Sequence, residues 1–540
     1  MSSAPVLEIK GLTVRLPEGA DREFAIQDVS LSVGKGEIVC IVGESGSGKS
    51  VTAFTVMGLI PKKDLVPVDG QILLQGDDLL KKTDRQMRAL RGQKMAMVFQ
   101  EPMTALNPVI KVGDQIGELL EIHTNMSASA RKKRVIETMD DVSLPDPATM
   151  YNSYPHQLSG GQRQRIMIAM ALTLEPGLLI ADEPTTALDV TTQAEVLELI
   201  KDIQRRHGMG VMFITHDFGV VADIADRVVV MQNGLVVEQG TRNEILRNPQ
   251  HPYTKMLIGS VPSLTPPDLP DPEAAEVALQ ARGLNKVYGT RGFFGKDRVV
   301  NAAQDVDLIV RRGETLGVVG ESGSGKSTVA RCIVRLIDPT SGEIDIGGVN
   351  VATLRERDMR QYRQQIQIVF QDPYRSLNPR RTVGQSIVEG PINFGLDATQ
   401  AQTRAEDLMR IVGLAPEALE RFPHQFSGGQ RQRLCIARAL AMEPKVLIAD
   451  EAVSALDVSV QAQVLKLLRD VRERYDLAVL FITHDLRVAA QICDRIMVMQ
   501  HGVVVEHGRT ADVYANPTHP YTKSLLAAAP GRDMDFARIA

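Results

Sequence analysis

Two copies of one glycine-rich octapeptide are the first residues of this chain whose types and spacing could do chemistry. Each follows a short β-branched apolar run and precedes a stretch of helical character, at 51–59 and 328–336, which is the strand–loop–helix setting of a phosphate-binding loop. Glycines let backbone N–H groups surround phosphate oxygens, so we predict that each lysine binds phosphate and each final serine binds Mg²⁺. A chance turn is the alternative, but the pattern is expected roughly 0.02 times in a chain of this length. The copies are Gly43, Glu44, Ser45, Gly46, Ser47, Gly48, Lys49, Ser50 and Gly320, Glu321, Ser322, Gly323, Ser324, Gly325, Lys326, Ser327.

Adjacent carboxylates end two apolar runs of the chain. Residues 178–181 have the pattern of a buried strand and are followed by Asp182 and Glu183, and a second such run ends in Asp450 and Glu451. Two carboxylates at the end of an apolar strand are costly to bury unless they meet a cation. Beside a phosphate-binding loop, the first acid of each pair would orient Mg²⁺ and the second would polarise the attacking water. A capping pair ahead of a helix is the alternative.

A serine, two glycines and a glutamine precede each of two helix-like stretches. Such a start offers free N–H groups and a hydroxyl, which can hold an anion. Taken alone, the pattern is typical of a plain helix cap, but beside the glycine loops and the acidic pairs it is highly specific. The residues are Ser159, Gly160, Gly161, Gln162 and Ser427, Gly428, Gly429, Gln430.

Length and composition limit the class of protein. The chain has 540 residues, 44% of them apolar and 24% charged, which is typical of a soluble globular protein with more than one core. Its net charge of −5 argues against a protein that mainly coats nucleic acid. We see neither a signal peptide nor an apolar run of membrane-spanning length, so we expect a soluble, cytoplasmic chain. The cysteines have no paired spacing and are predicted to be buried core residues: Cys40, Cys332, Cys435 and Cys493.

Long internal repeats indicate that one whole domain occurs twice. Residues 213–217 (Phe-Ile-Thr-His-Asp) recur at 481–485, and residues 251–255 (His-Pro-Tyr-Thr-Lys) recur at 519–523. Strand-like and helical runs alternate in each half, which favours an α/β sheet packed by helices.

Two further segments complete the predicted organisation. Each half carries a helical insertion, at about 114–150 and 385–421. A proline-rich, acidic stretch between the halves is typical of a stiff, extended linker. We therefore predict domains at 1–261 and 279–540, joined by a linker at 262–278.

In this order the motifs resemble those of the ATP-binding cassette family, and the resemblance covers both halves almost end to end. It implies tandem P-loop NTPase domains, each with an antiparallel β subdomain and a helical subdomain. The glycine loops resemble Walker A motifs, and 159–162 and 427–430 resemble the family's signature. The other implied roles are Walker B aspartates Asp182 and Asp450, catalytic bases Glu183 and Glu451, Q-loop residues Gln100 and Gln371, D-loop residues Asp189 and Asp457, and switch histidines His216 and His484.

Two cassettes of this family close head to tail around two nucleotides. The resemblance therefore implies one ATP site between 43–50 and 427–430 and another between 320–327 and 159–162. The linker would keep the halves at high effective concentration. The implied Mg²⁺ ligands are Ser50, Gln100, Asp182, Ser327, Gln371 and Asp450.

Three differences between the halves lead us to expect two competent but unequal ATPase sites. None of them removes a catalytic group. The first half has Val51 where the second half has Thr328, whose side chain would offer phosphate a second hydroxyl. The first half has Leu16 where the second half has Tyr288, which resembles the adenine-stacking aromatic residue of the family. The second half has Ala452 where the first half has Pro184.

Three branches of the family have paired cassettes without membrane spans. A ribosome-associated translation factor should carry a long basic helical linker, whereas this linker is short and acidic. A DNA-repair ATPase should carry zinc-binding cysteine pairs, which this sequence lacks. The ATPase subunit of an importer is therefore the favoured reading.

The sequence Gln-Glu-Pro begins at residue 100 and Gln-Asp-Pro begins at residue 371. Together with the His-Pro-Tyr-Thr segments, these motifs resemble the dipeptide, oligopeptide and nickel importer family. The chain resembles two ATPase subunits of that family fused into one, as in glutathione-type importers. The resemblance implies ATP and Mg²⁺ as cofactors and a place at the cytoplasmic face of the inner membrane. The implied partners are two permeases, docking at about 101–118 and 372–389, and an extracytoplasmic binding protein, without nucleic acid. We expect no iron–sulfur cluster. Peptides are the expected substrate, then glutathione, then nickel, opines or sugars.

Overall fold

The chain divides into two compact units. The computed structural model describes residues 4–61, 63–186, 188–267, 274–290, 298–454 and 456–536. The first unit comprises Met1–Gly259 with Pro530–Ala540, and the second comprises Ser260–Ala529. The central part of the predicted linker, 268–273, lies outside the described residues, and the predicted domain bounds stay a prediction.

The described strands of the first unit form two sheets. An antiparallel sheet has the order β2-β1-β4-β5, and a second, mostly parallel sheet has the order β10-β9-β3-β8-β7-β6. The strands are β1 (Leu7–Arg15), β2 (Phe24–Val33), β3 (Ile38–Val42), β4 (Val66–Leu74), β5 (Asp77–Asp78), β6 (Met95–Val98), β7 (Leu178–Asp182), β8 (Gly210–Ile214), β9 (Arg227–Gln232) and β10 (Leu235–Thr241).

Helices cover these strands and form the insertion. The α-helices are α1 (Lys49–Met57), α2 (Asp84–Leu90), α3 (Pro102–Ala105), α4 (Val112–His123), α5 (Ala128–Asp141), α6 (Pro147–Met150), α7 (Gly160–Leu172), α8 (Val190–His207), α9 (Phe218–Ile224), α10 (Arg242–Arg247) and α11 (Pro252–Gly259), and Leu79–Lys81 and Pro155–Gln157 form 3₁₀ turns.

The second unit repeats the two sheets, in the orders β12-β11-β14-β15 and β16-β17-β18-β13-β19-β20 among its described residues. Its strands are β11 (Val277–Thr290), β12 (Arg298–Arg311), β13 (Thr315–Val319), β14 (Ser341–Ile346), β15 (Val349–Asn350), β16 (Ile366–Val369), β17 (Val446–Asp450), β18 (Ala478–Thr483), β19 (Arg495–Gln500) and β20 (Val503–Arg509).

Its helices also follow the order of the first unit. They are α12 (Lys326–Ile333), α13 (Glu356–Met359), α14 (Pro373–Ser376), α15 (Val383–Asn393), α16 (Ala398–Ile411), α17 (Gly428–Leu440), α18 (Val458–Tyr475), α19 (Leu486–Ile492), α20 (Thr510–Ala515) and α21 (Pro520–Ala527), with 3₁₀ turns at Arg360–Gln364, Pro416–Glu420 and Pro423–Gln425.

Burial explains which apolar runs became central strands. Every residue of β3 is buried, and this strand pairs in parallel with β8 on one side and β9 on the other. A strand that is covered on both faces has a continuous run of apolar residues rather than an alternation of apolar and polar residues. The predicted α/β fold with an antiparallel β subdomain and a helical subdomain is confirmed, since α4 and α5 fill the predicted insertion.

The helix after the first P-loop (residues 43–50) starts earlier than the sequence indicated. It begins at Lys49 rather than at residue 51, and it ends at Met57 because Gly58 adopts a left-handed conformation with φ 63°. The final lysine and serine of the octapeptide therefore belong to the first helical turn, where backbone N–H groups are free of helical partners.

The predicted burial of the cysteines is confirmed, and none of the four is in a disulfide. Within the described ranges, every helix is too short or too polar to cross a membrane.

Residues 530–536 are part of the first unit. Gly531 donates its N–H to Asp223 Oδ2 at 3.0 Å, beside α9. The main chain of Pro530 lies so close to Gly219 that a Cβ there would be 2.6 Å from the Pro530 carbonyl oxygen. The side chain of Phe536 is fully buried. Residues 530–536 therefore complete the core of the first unit.

We expect Phe536→Ala to lower the free energy of unfolding of the first unit by about 3–5 kcal/mol, because it empties a fully buried ring site. Hydrogen exchange followed by mass spectrometry should show faster exchange at α9 and unchanged exchange at α19. Phe394→Ala, which truncates a ring that is 37% exposed, is the control. Unchanged exchange at α9 in the Phe536 variant would contradict this account.

Candidate functional site

The first P-loop leaves β3 through a position that only glycine can occupy. Gly43 has φ 150°, and a Cβ on it would lie 2.2 Å from the carbonyl oxygen of Met231. The second P-loop (residues 320–327) repeats this contact between Gly320 and Met499, again at 2.2 Å. Close packing against the neighbouring strand therefore determines where each loop turns.

The lysine of each P-loop is held by the loop's own carbonyls. Lys49 Nζ donates to Gly43 O at 2.7 Å and to Glu44 O at 2.9 Å. Lys326 Nζ makes the equivalent bonds, at 2.7 Å to each carbonyl. Lys49 is 6% exposed and Lys326 is 4% exposed. The ammonium group is thus held over the loop, where phosphate oxygens would bind it.

The last serine of each P-loop faces the aspartate at the end of a neighbouring strand. Ser50 Oγ donates to Asp182 Oδ1 at 3.0 Å, and Ser327 Oγ donates to Asp450 Oδ1 at 2.8 Å. Burial raises the pKa of Asp182 to about 6, with the charge of Glu183 adding to the rise and the Ser50 hydrogen bond opposing it. Burial also raises the pKa of Asp450. A buried carboxylate of this kind is stabilised by a bound cation.

The glutamate after β7 has an unusual backbone. Glu183 has φ 45° and Glu451 has φ 50°, a region that non-glycine residues rarely adopt and that costs about 1–3 kcal/mol. Each backbone N–H is nevertheless bonded to the neighbouring strand, Glu183 to Ile214 O at 2.9 Å and Glu451 to Ile482 O at 3.0 Å. The strand pairing thus turns the carboxylate away from the sheet and towards the P-loop edge.

Three side chains surround the Glu183 carboxylate. Gln100 Nε2 donates to its Oε2 at 3.0 Å, Thr186 Oγ1 donates at 2.9 Å, and His216 Nδ1 lies 3.3 Å away. Burial alone would raise the pKa of Glu183, but the hydrogen bonds of His216 and Thr186 and the charges of His216 and Lys49 lower it overall. Glu183 is therefore ionised at neutral pH, as a general base must be.

The second copy shares two of these three contacts. Gln371 Nε2 donates to Glu451 Oε2 at 2.7 Å, and His484 Nδ1 lies 3.5 Å from Oε1. Burial lowers the pKa of His484, but its hydrogen bond to Glu451 and the charges of Glu451 and Asp485 together raise it overall. Ser454, which corresponds to Thr186, donates to the main-chain carbonyl of Glu451 instead, at 3.1 Å. The two glutamates are therefore held differently.

The serine–glycine motif forms a capping box at the start of α7. Ser159 Oγ accepts from Gln162 N at 3.2 Å, and Gln162 Oε1 accepts from Ser159 N at 3.0 Å. Space around Gly160 is open, whereas a Cβ on Gly161 would lie 2.5 Å from Thr192 Cγ2. Ser427 and Gln430 repeat the capping box at α17, where a Cβ on Gly428 would lie 3.7 Å from the Tyr374 hydroxyl and one on Gly429 would lie 2.2 Å from Val460 Cγ1. Only the first glycine of each pair therefore leaves room for an approaching ligand.

The sequence reading missed several contacts of the site. Arg22 donates to Gly46 O at 2.7 Å, across the first P-loop, and no motif marks this residue. Thr186 lies three residues after the glutamate it binds, so its spacing was a usable signal. The His-Pro-Tyr-Thr segments indicate a repeat and an importer resemblance but no site residue, yet the Tyr253 hydroxyl reaches the first P-loop. Tyr288 is 43% exposed, and its role at adenine stays a prediction.

Each unit thus brings its own P-loop, acidic pair, glutamine and histidine to one edge of the parallel sheet. Whether the serine–glycine motif of one half completes the site of the other stays a prediction.

Comparisons with known proteins agree with this geometry. Residues 26–186 and 303–454 match the family described as ABC transporter, and residues 237–289 and 505–536 match the oligopeptide/dipeptide transporter C-terminal region. The glutathione import ATP-binding protein GsiA of Salmonella typhimurium is 47% identical over 565 aligned positions, which cover 99% of this chain and 91% of that protein. The peptidoglycan transport ATP-binding protein YejF of Agrobacterium fabrum is 45% identical over 532 positions, covering 98% and 97%.

A solved dimer of an ATP-binding cassette in a post-hydrolysis state, bound to ADP and Pi, is 29% identical with a TM-score of 0.40, covering 44% of this chain and 98% of that one. The family matches and the full-length relatives confirm the predicted resemblance. This chain therefore belongs to the ATP-binding proteins of ABC transporters, with the oligopeptide/dipeptide transporter C-terminal region in each half, and it is an ATPase.

Proposed function

We propose that this chain hydrolyses ATP at two sites and uses the energy to import peptides, glutathione among them, through permease subunits at the cytoplasmic face of the inner membrane. The observation that carries the proposal is the repeated arrangement of serine, aspartate and glutamate at each P-loop, with Ser50 3.0 Å from Asp182 and Ser327 2.8 Å from Asp450. Relatives that align with nearly the whole chain are named for import of glutathione and transport of peptidoglycan. Both compounds contain peptide bonds, which supports peptides as the substrate class.

The donor set at each P-loop fits Mg²⁺. This ion prefers oxygen ligands and is usually held by one or two protein groups together with substrate phosphates. In the first unit Ser50 and Asp182 already face each other, and Gln100 lies on the same side through its bond to Glu183. These residues would hold Mg²⁺, which would neutralise charge on the β- and γ-phosphates. Ser327, Asp450 and Gln371 would do so in the second unit.

The remaining groups have separate roles in the proposed hydrolysis. Lys49 and the backbone N–H groups of the P-loop bind the phosphates, and Glu183 accepts a proton from the attacking water. His216 contacts Glu183 and is placed to orient that water and the γ-phosphate. Lys326, Glu451 and His484 have the same roles in the second copy. Positioning and electrostatics carry most of the catalysis in phosphoryl transfer.

Exposed apolar side chains follow each Q-loop glutamine. Val109 is 78% exposed and Ile110 is 39% exposed, and Tyr374 is 63% exposed in the second unit. Large apolar side chains in water often mark contact surfaces. These residues lie within 101–118 and 372–389, the segments that we propose as the docking sites of two permeases. An extracytoplasmic binding protein would then select the substrate.

Cells lacking this chain should lose uptake of labelled oligopeptides and glutathione, and the wild-type gene should restore it. A Glu183→Gln, Glu451→Gln double variant should not restore it, because removing a general base costs about 10²–10⁴-fold in rate. Glu137→Gln, at a carboxylate that is 50% exposed on α5, is the control and should restore uptake fully.

The outcomes of the uptake experiment separate the parts of the proposal. Loss of nickel uptake alone, with peptide uptake intact, would contradict the substrate class and leave the importer ATPase in place. Unchanged uptake of every solute would contradict the importer role.

Thr186→Val should lower the ATPase kcat of the first site about fivefold, because the change removes a hydrogen bond to an ionised carboxylate worth about 1 kcal/mol at an exposed position. Steady-state ATPase measurements in a Glu451→Gln background, which leaves Glu183 as the remaining base, would test this.

The second unit supplies the matched control for Thr186. Ser454→Ala, tested in a Glu183→Gln background, should change kcat less than twofold, because the Ser454 hydroxyl binds a main-chain carbonyl rather than the catalytic carboxylate. Equal losses in the two variants would contradict a role for Thr186 in holding Glu183.

A further inference from the structure

One tyrosine in each unit is bonded to the backbone of a P-loop. The hydroxyl of Tyr253 accepts the N–H of Glu44 at 3.0 Å and lies 3.3 Å from Glu44 Oε2. These residues are 209 positions apart in the chain. Tyr253 is only 5% exposed, so the bond forms in a largely dry setting, where leaving an N–H unpaired is costly.

The second unit forms the equivalent hydrogen bond between its own tyrosine and its own P-loop. The hydroxyl of Tyr521 accepts the N–H of Glu321 at 3.0 Å, and Tyr521 is 8% exposed. Although the two copies differ at many positions, the distance between the tyrosine hydroxyl oxygen and the glutamate backbone nitrogen is the same in both. An incidental contact of two buried groups would not be expected to recur in this way.

The residues around each tyrosine hold it in place. His251 Nδ1 accepts the N–H of Tyr253 at 3.2 Å, and Glu238 Oε2 accepts the N–H of His251 at 3.1 Å. Glu238 lies on β10, which pairs with β9, the strand whose Met231 carbonyl packs against Gly43. The hairpin of β9 and β10 therefore contacts the first P-loop directly, through Met231, and also indirectly, through His251 and Tyr253.

The second unit repeats this support. His519 Nδ1 accepts the N–H of Tyr521 at 3.2 Å, and Glu506 Oε2 accepts the N–H of His519 at 3.1 Å. Pro520 starts α21 immediately before the tyrosine, and its fixed φ suits the first position of a helix. Each residue of the repeated His-Pro-Tyr sequence thus helps to aim the hydroxyl.

The peptide group that the tyrosine holds is also the one that anchors the P-loop lysine. The peptide group between Gly43 and Glu44 has its N–H bonded to Tyr253, and its carbonyl, that of Gly43, accepts from Lys49 Nζ at 2.7 Å. The peptide group between Gly320 and Glu321 is held in the same way between Tyr521 and Lys326, with Lys326 Nζ 2.7 Å from Gly320 O. Fixing the N–H side of this peptide therefore fixes its carbonyl, and with it the position of the ammonium group.

We propose that Tyr253 and Tyr521 are positioning residues for ATP binding: through the Gly43–Glu44 and Gly320–Glu321 peptide groups they preorganise the phosphate-binding loop and its lysine. This inference rests on the nucleotide sites proposed above. Each hydroxyl acts through the backbone of the loop, where it accepts one N–H. Their contribution is to hold the empty loop in the conformation that binds phosphate, which reduces the ordering cost on binding.

Tyr253→Phe and Tyr521→Phe test the proposal, because each keeps the ring and removes only the hydroxyl. Hydrogen exchange on the full chain can distinguish the two P-loops, since peptides that extend into residues 38–42 or 315–319 differ in mass. Without nucleotide, Tyr253→Phe should speed exchange of the first P-loop about tenfold and leave the second unchanged. Tyr521→Phe should do the reverse.

A titration with MgATP, followed by the protection of the same peptides, measures the effect on binding. We expect the ATP concentration at half-protection to rise about fivefold for the loop whose tyrosine is changed. Tyr151→Phe is the control, because its hydroxyl bonds to Asp114 at 3.1 Å on the helical insertion and should leave both P-loops unaffected.

Unchanged exchange of the P-loops in both tyrosine variants would overturn the proposal and leave ring packing as the role of these residues. If ATP protected neither P-loop of the wild-type chain, the nucleotide sites themselves would be wrong. The exchange rates without nucleotide would still decide whether the hydroxyls order the loops.

Discussion

Each unit depends on a carboxylate buried at the end of a parallel strand. Asp182 is 3% exposed and Asp450 is 4% exposed, and each accepts a hydrogen bond from a P-loop serine. An ionised carboxylate in such a place is unfavourable without a cation. The strand order β3-β8-β7 brings this carboxylate to the same sheet edge as the P-loop. The cost of burying the acid is thus incurred where a metal ion and a nucleotide would offset it.

The glutamate that we propose as the general base shows how the same end of the sheet stores strain. Its left-handed backbone is unfavourable for a residue with a side chain, yet it occurs at both Glu183 and Glu451. Pairing of the backbone N–H with β8 or β18 maintains this conformation, and the carboxylate is then held by the glutamine and the histidine. Strain that recurs at equivalent positions of two diverged copies is consistent with a functional geometry rather than a defect of packing.

The two copies also show where a duplicated site is free to diverge. The P-loop, its lysine and the serine–aspartate bond have nearly the same distances in both units. The third contact of the glutamate differs, because a threonine hydroxyl in one unit reaches the carboxylate and a serine hydroxyl in the other reaches the main chain. Differences at this level would change how firmly the proposed base is held without removing it, and the inequality of the two ATPase sites stays a prediction.

The sequence alone was sufficient to predict the duplication, the α/β fold, the buried cysteines and the types of residue at each site, because local patterns of burial and loop composition repeat in both halves. It could not show that Glu44 meets Tyr253, or that residues 530–536 complete the first unit. Those contacts join positions some 200 or more residues apart, so they depend on which strands and helices become neighbours. Only the tertiary structure decided them, because close packing and hydrogen-bond geometry are properties of the assembled sheet rather than of any segment in it.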